Sequence, residues 1–169
     1  MRKKYSIVKI WMIVLTGCIV ASCNTDKANN TETNGNGTDM VFPKGEKVKN
    51  DNFIGDVWLN YLVETDSIHH VNIGSVTFEP GARTNWHYHK GGQILLVTEG
   101  RGLYQERGKP VEVIKKGEVM KCPPNIEHWH GATPTEAMTH VAIGTNTNIG
   151  GAVWLGPVTD EEYRSGDQH

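Results

Sequence analysis

The chain has 169 residues and a formal net charge of −2, with 17 basic and 19 acidic side chains. That length holds one domain with a real core, and the balanced charge with no basic run in the folded part excludes a nucleic-acid-binding surface. Nineteen glycines set between short apolar runs are what the turns of an all-β protein require.

In chain order, the first element is a leader. Arg2, Lys3, Lys4 and Lys9 precede an apolar stretch from Ile10 to Val20, too short to span a bilayer and suited to a signal-peptide core. Val20-Ala21-Ser22-Cys23 resembles a bacterial lipobox, and Leu15-Thr16-Gly17-Cys18 resembles it too. Cleavage before Cys18 would leave Ile19 and Val20 on the mature chain with nothing to bury them. Cys23 is therefore the preferred lipidation site, and an ordinary secreted protein or an uncleaved anchor is the alternative. Residues 1–22 are expected to be a lipoprotein signal peptide, 23–40 a flexible tether and 41–169 the folded domain. Between Asn24 and Asp39 no apolar residue exceeds Ala28 in size, so nothing there offsets the entropy lost on ordering. The expected location is extracytoplasmic, at the membrane through the lipid alone. Cys122 then has no disulfide partner and is expected in the core.

From Met40 onward the periodicity predicts strands over Val57–Val63, Val71–Phe78, Gln93–Thr98, Gly102–Glu106, Val111–Ile114, Glu118–Lys121, Glu127–Gly131, Met138–Ile143 and Ala152–Leu155. Gly/Pro turns punctuate them: Glu79-Pro80-Gly81, Glu99-Gly100, Arg107-Gly108-Lys109-Pro110, Lys116-Gly117 and Pro123-Pro124-Asn125. Such a series predicts an all-β, single-domain jelly roll, with a weakly helical tail over Asp160–Arg164 capped by Thr159.

Histidines carry the chemistry. His87 and His89 form one H-x-H pair, and His128 and His130 another. On a strand each pair projects both imidazoles to one face, and the turn Lys90-Gly91-Gly92 can return Gln93 beside the first pair. Imidazole suits Mn, Fe, Ni, Cu and Zn alike, so the pattern points to a divalent metal without naming it. His130 lies about 6.6 Å along the strand from His128 and is better placed to face substrate than to bind the ion. His140 shares its face with Ala142 and Gly144. Either histidine could instead be a satisfied core residue. Gly74 and Val76 are expected to line a small pocket. Trp86 and Trp129 are candidates to close it, although their position in sequence points them to the opposite face. His69 and His70 fall in a polar loop.

Two motifs carry a family resemblance. Gly81-x5-His87-x-His89-x3-Gln93-x6-Gly100 resembles the first cupin motif, and Gly117-x5-Pro123-x-Asn125-x2-His128 the second. Gln93 replaces the usual glutamate, and Asn125 the usual glycine. Ser75–Thr84, His128–Ala132, Ala137–His140 and Val158–Glu161 resemble small bacterial cupins of the carboxymuconolactone-decarboxylase-associated type, related to manganese-dependent hydroxynitrile lyases. The resemblance runs from about Phe53 to Tyr163. It implies a cupin barrel with metal ligands His87, His89, Gln93 and His128, manganese as the expected ion (Fe, Zn or Ni as alternatives) and His140 as a proton carrier in the pocket; His130 as its partner in catalysis and Gly74, Val76 and Gly144 as pocket residues are expected from strand alternation. The activity it implies is a metal-dependent carbon–carbon lyase on a small hydroxy or carbonyl compound; a metal-dependent dioxygenase or isomerase and a non-catalytic binding cupin are the alternatives. Cupins commonly pair through edge strands, so a homodimer through Val57–Val63 is expected.

One consequence follows from charge alone. Three neutral imidazoles and an amide leave a divalent ion at +2, where a carboxylate would leave it at +1. The amide site is the stronger Lewis acid and the better host for an anion.

Overall fold

The computed structural model describes residues 40–165. The expected leader (1–22), Cys18, Cys23, the tether short of Met40, and His169 lie outside them. Among the described residues no helix is long and apolar enough to cross a membrane.

Twelve strands follow in order: β1 (Glu46–Lys47), β2 (Phe53–Ile54), β3 (Val57–Val63), β4 (Asn72–Phe78), β5 (Arg83–Thr84), β6 (His87–His89), β7 (Gln93–Glu106), β8 (Glu112–Lys115), β9 (Val119–Cys122), β10 (His128–Ala132), β11 (Met138–Gly144) and β12 (Ala152–Trp154). A 3-10 turn (Thr147–Ile149) precedes β12, and a short helix, α1 (Asp160–Arg164), ends the described chain. All pairings are antiparallel. One sheet runs β1-β3-β4-β11-β7-β9. In the other, β7 pairs with β8 and β10, and β10 pairs with β5 and β6, whose outer neighbours are β2 and β12. The architecture is the expected all-β jelly-roll barrel, with the two sheets facing each other across one core.

β7 corrects the sequence reading. Gln93–Thr98 and Gly102–Glu106 form one strand, and Glu99-Gly100 is no chain reversal. The register against β11 shifts between Thr139 and His140, so Thr98 is an extra residue in the ladder. Gly100 sits at φ 70°, and a Cβ there would overlap the Ala137 carbonyl. A bulge with a left-handed glycine bends a strand sharply, and here it carries β7 from one sheet into the other. The very short strands β1, β2 and β5 carry no period in two residues, whereas β6 is the strand expected under the His87–His89 pair.

Two apolar clusters hold the fold. Val57, Phe78, Leu95, Tyr104, Cys122 and Met138 belong to the one inside the barrel. Outside the second sheet, Trp86, Leu103, Val111 and Trp129 are covered by Val158 and Tyr163 of the C-terminal segment. Trp86 and Trp129 therefore do not close the pocket. The segment is fastened by a capping box between Thr159 and Glu162, by Tyr163 Oη donating to the Ala132 carbonyl, and by buried Arg83 reaching Asp160 at 2.7 Å. Cys122 is buried, and burial pushes its thiol up to about 12, which keeps it protonated and inert. His69 is in an exposed loop, paired with Asp66.

Candidate metal centre and pocket

The end of the barrel where β6, β7, β10 and β12 meet gathers the histidines. β6 and β10 are register partners at His87 and His128, so the two H-x-H pairs meet head to head. The ring centres of His87 and His128 are 4.4 Å apart, those of His87 and His89 5.3 Å, and those of His89 and His128 5.9 Å. A ring that binds an ion at about 2.1 Å has its centre about 3.2 Å from it, so two rings on one ion have centres at most about 6.4 Å apart. All three pairs meet that limit. His130 meets it too, at 5.3 Å from His87 and 6.1 Å from His128. The ligand atoms of His87, His128 and His130 lie within 4.8 Å of one another.

Hydrogen bonds fix the tautomers. His87 Nδ1 lies 3.0 Å from the Asn85 carbonyl and His128 Nδ1 2.8 Å from the Ile126 carbonyl. A carbonyl only accepts, so both Nδ1 atoms carry the proton and both Nε2 atoms present lone pairs. Backbone carbonyls behind metal-binding histidines do this work in general. His128 Nε2 is 3.4 Å from Gln93 Oε1, another lone-pair atom. His89 Nε2 and His130 Nε2 are buried without a partner. Acceptors facing one another, with orphaned nitrogens around them, make a cradle that fits a divalent cation.

Burial keeps these rings neutral. It holds His87 well below the ordinary histidine value, with the charge of His128 adding to it, and brings His89 down to about 4. His128 and His130 are lowered as well, burial again being the chief cause. Neutral imidazole is the form that binds a metal.

The pocket adjoining this cluster has a volume of about 250 Å³. A cavity of ~150 Å³ can hold benzene, so there is room for a small substituted ring. Its floor is laid in rows by register. Gln93, Gly144 and Asn72 form the outermost row; Ala142 and Gly74 the next; His140 and Val76 the third. Phe78 and Met138 form the following row, buried in the barrel core. Gly74, Val76 and Gly144 thus line the cavity, and so do Gln93, His130 and His140. His140 is fully buried, and its Nε2 lies 3.2 Å from His130 Nδ1. Burial brings His140 down to about 4, and its Nδ1 has no partner.

Two wall residues escaped the sequence reading. Trp154 lies beside His87 with ring centres 4.7 Å apart, because β12 pairs Trp154 with His87. The Phe53 ring lies against Trp154, tilted by 57° with ring centres 5.3 Å apart. The alternation of Ala152 and Trp154 was the available signal, but only pairing with β6 turns that face toward the pocket.

Comparison with known proteins agrees with the fold. The family model for the cupin domain, Cupin_2, matches residues 74–144. An (R)-mandelonitrile lyase from Granulicella tundricola is 47% identical over 112 residues, which are 66% of this chain and 86% of that protein. The crystal structure of a cupin-like protein from Thermotoga maritima superposes with a TM-score of 0.72 at 52% identity, covering 75% of this chain and 96% of the other. A predicted oxalate decarboxylase from the same organism shares the fold alone, with a TM-score of 0.53 and 21% identity over 65% of this chain and 91% of its own.

Proposed function

The chain belongs to the cupin family, and from that premise we propose that it is a metal-dependent lyase that reversibly cleaves a carbon–carbon bond in a small hydroxy or carbonyl compound, as a cyanohydrin is cleaved to aldehyde and cyanide. The observation that carries the reading is the His130–His140 pair, buried at the foot of an apolar pocket beside the rings of His87, His89 and His128.

We assign His87, His89, Gln93 and His128 as ligands of a divalent ion, manganese in the first instance. Such an ion supplies Lewis-acid polarisation of a hydroxyl or carbonyl oxygen, and its undiminished +2 charge on a neutral ligand set favours anionic oxygen or cyanide. We assign His130, whose Nδ1 is engaged with His140 Nε2, to the substrate side rather than to the ion. Burial keeps His140 neutral near pH 7, so it can take a proton, and His130 shares that proton across their hydrogen bond. Phe53, Val76 and Trp154 hold the apolar part of the substrate and exclude water. Support for this substrate class comes from the mandelonitrile lyase relative and from the size of the cavity.

The same proposal includes a lipid at Cys23, removal of residues 1–22, an extracytoplasmic location and a homodimer, each supported by sequence. The test is cleavage of racemic mandelonitrile by protein of determined metal content. Cleavage lost in His140→Ala with metal retained supports the reading. Substrate-dependent oxygen uptake points to a dioxygenase instead, and tight ligand binding without turnover to a binding cupin.

A further inference from the structure

The pocket has unlike walls. Phe53, Ala152 and Trp154 of the second sheet line one side, and Gly144, Ala142 and Gly74 of the first sheet form a strip of small residues on the other. A glycine inside a strand forfeits packing, and it often marks a place where another group approaches the backbone closely. At Gly144 one such group is the side chain of Asn72: a Cβ on Gly144 would overlap Asn72 Oδ1. The amide therefore leans across Gly144 along the pocket wall. Asn72, Gly144 and Gln93 make one cross-strand row, which sets Asn72 two strands, about 10 Å, from the assigned metal ligand. Tyr61, the register partner of Gly74 on β3, lies diagonal to Asn72 on the same face and lines the pocket as well. Its ring is 67% exposed. Neither side chain has a hydrogen-bond partner among the described residues.

We propose that Asn72 and Tyr61 form a distal subsite for a hydroxyl group of the substrate, at the end of the molecule away from the reacting carbon. This rests on the lyase reading and narrows its substrate to a compound with two polar ends. One oxygen meets the assigned ligands, a flat apolar middle lies between the small strip and Trp154, and a hydroxyl reaches the far wall. The distal group is uncharged, because no Lys, Arg, Asp or Glu among the described residues lines the cavity. A carboxylate there would lose hydration with no cation to offset it, whereas a hydroxyl needs only an acceptor and a donor. Asn72 Oδ1 accepts its proton, and the Tyr61 hydroxyl donates to its oxygen. A substrate without that hydroxyl leaves both groups unpaired, which is how a polar subsite discriminates. Because both residues are partly open to water, the preference is modest, roughly three- to tenfold.

Cleavage of 4-hydroxymandelonitrile against mandelonitrile by the metal-loaded full-length chain tests this. Isothermal titration with 4-hydroxybenzaldehyde against benzaldehyde is the second readout and needs no turnover. The expected result is a preference for the hydroxylated member of each pair, lying in KM and not in kcat. Asn72→Ala, at an exposed position that the core does not depend on, should reduce that preference to below about twofold. Tyr61→Phe, which removes only the hydroxyl, should lower it too. Gly144→Ala should act like Asn72→Ala, by displacing the amide. A chain that cleaves neither nitrile fails the lyase reading, and the aldehyde pair then decides the subsite on its own. Equal affinity of the natural chain for the two aldehydes overturns the proposal. So does a preference that survives Asn72→Ala undiminished.

Discussion

His128 Nε2 and Gln93 Oε1 face each other at 3.4 Å, both as lone-pair atoms, because His128 has committed its only proton to the Ile126 carbonyl. Two acceptors hold that position most comfortably around a cation. The amide would contribute no charge, so a divalent ion held there would keep its full strength.

Gln93→Glu tests that consequence. The carboxylate should retain the metal or bind it more tightly, while affinity for azide or cyanide falls at least several-fold. Isothermal titration of the metal-loaded variant with either anion reads it. Unchanged anion affinity counts against the charge argument.

The ligand assignment is separable by mutation, since His89 and His130 compete for the place beside His87 and His128. His89→Ala should lower metal affinity by at least tenfold, and His130→Ala should leave it nearly unchanged while reducing turnover. Metal analysis after dialysis distinguishes them. Loss of metal only in His130→Ala would reverse the assignment.

His140→Ala should lower turnover 10²–10⁴-fold, about the contribution of a positioned proton carrier, with metal content intact. The empty space beside Phe78 costs some stability, so the variant's folding should be followed by thermal melting alongside its kinetics.

Stability of the metal-free protein should fall in acid, and the sign follows from burial. His140 titrates near 4 when folded and near 6.5 when unfolded, so the folded state binds fewer protons. Its contribution is fully present above pH 6.5 and is lost as pH falls toward 4, by about 3 kcal/mol in all. His87 and His130 act in the same direction. Urea unfolding in the presence of a chelator between pH 7 and pH 4 measures the slope; a flat profile would contradict the burial of these rings.

Gly100→Ala should destabilise the fold by roughly 2 kcal/mol or more, since a left-handed residue and a collision with the Ala137 carbonyl are imposed together. A midpoint unchanged in urea would mean the bulge in β7 can rearrange.

Much of this was legible in sequence because it depends on local spacing. Period-two patterning gave β3, β4, β10 and β11 to within a residue at each end, and Thr159 marked the start of α1. Asn125 takes the left-handed conformation expected of a residue standing in for glycine, at φ 61°. The two H-x-H pairs announced clustered imidazoles because residues two apart on a strand share a face. Everything that depends on which strands become neighbours was hidden. β7 reads as two strands because nothing in Glu99-Gly100 distinguishes a bulge from a turn until β11 is laid beside it. Trp154 joins the pocket wall, and Trp86 does not, because β12 pairs with β6 and the C-terminal segment folds over the opposite face. The sequence determined which groups this protein can bring to a metal; tertiary pairing decided which of them meet, since His87 and His128 become neighbours only when β10 is laid beside β6.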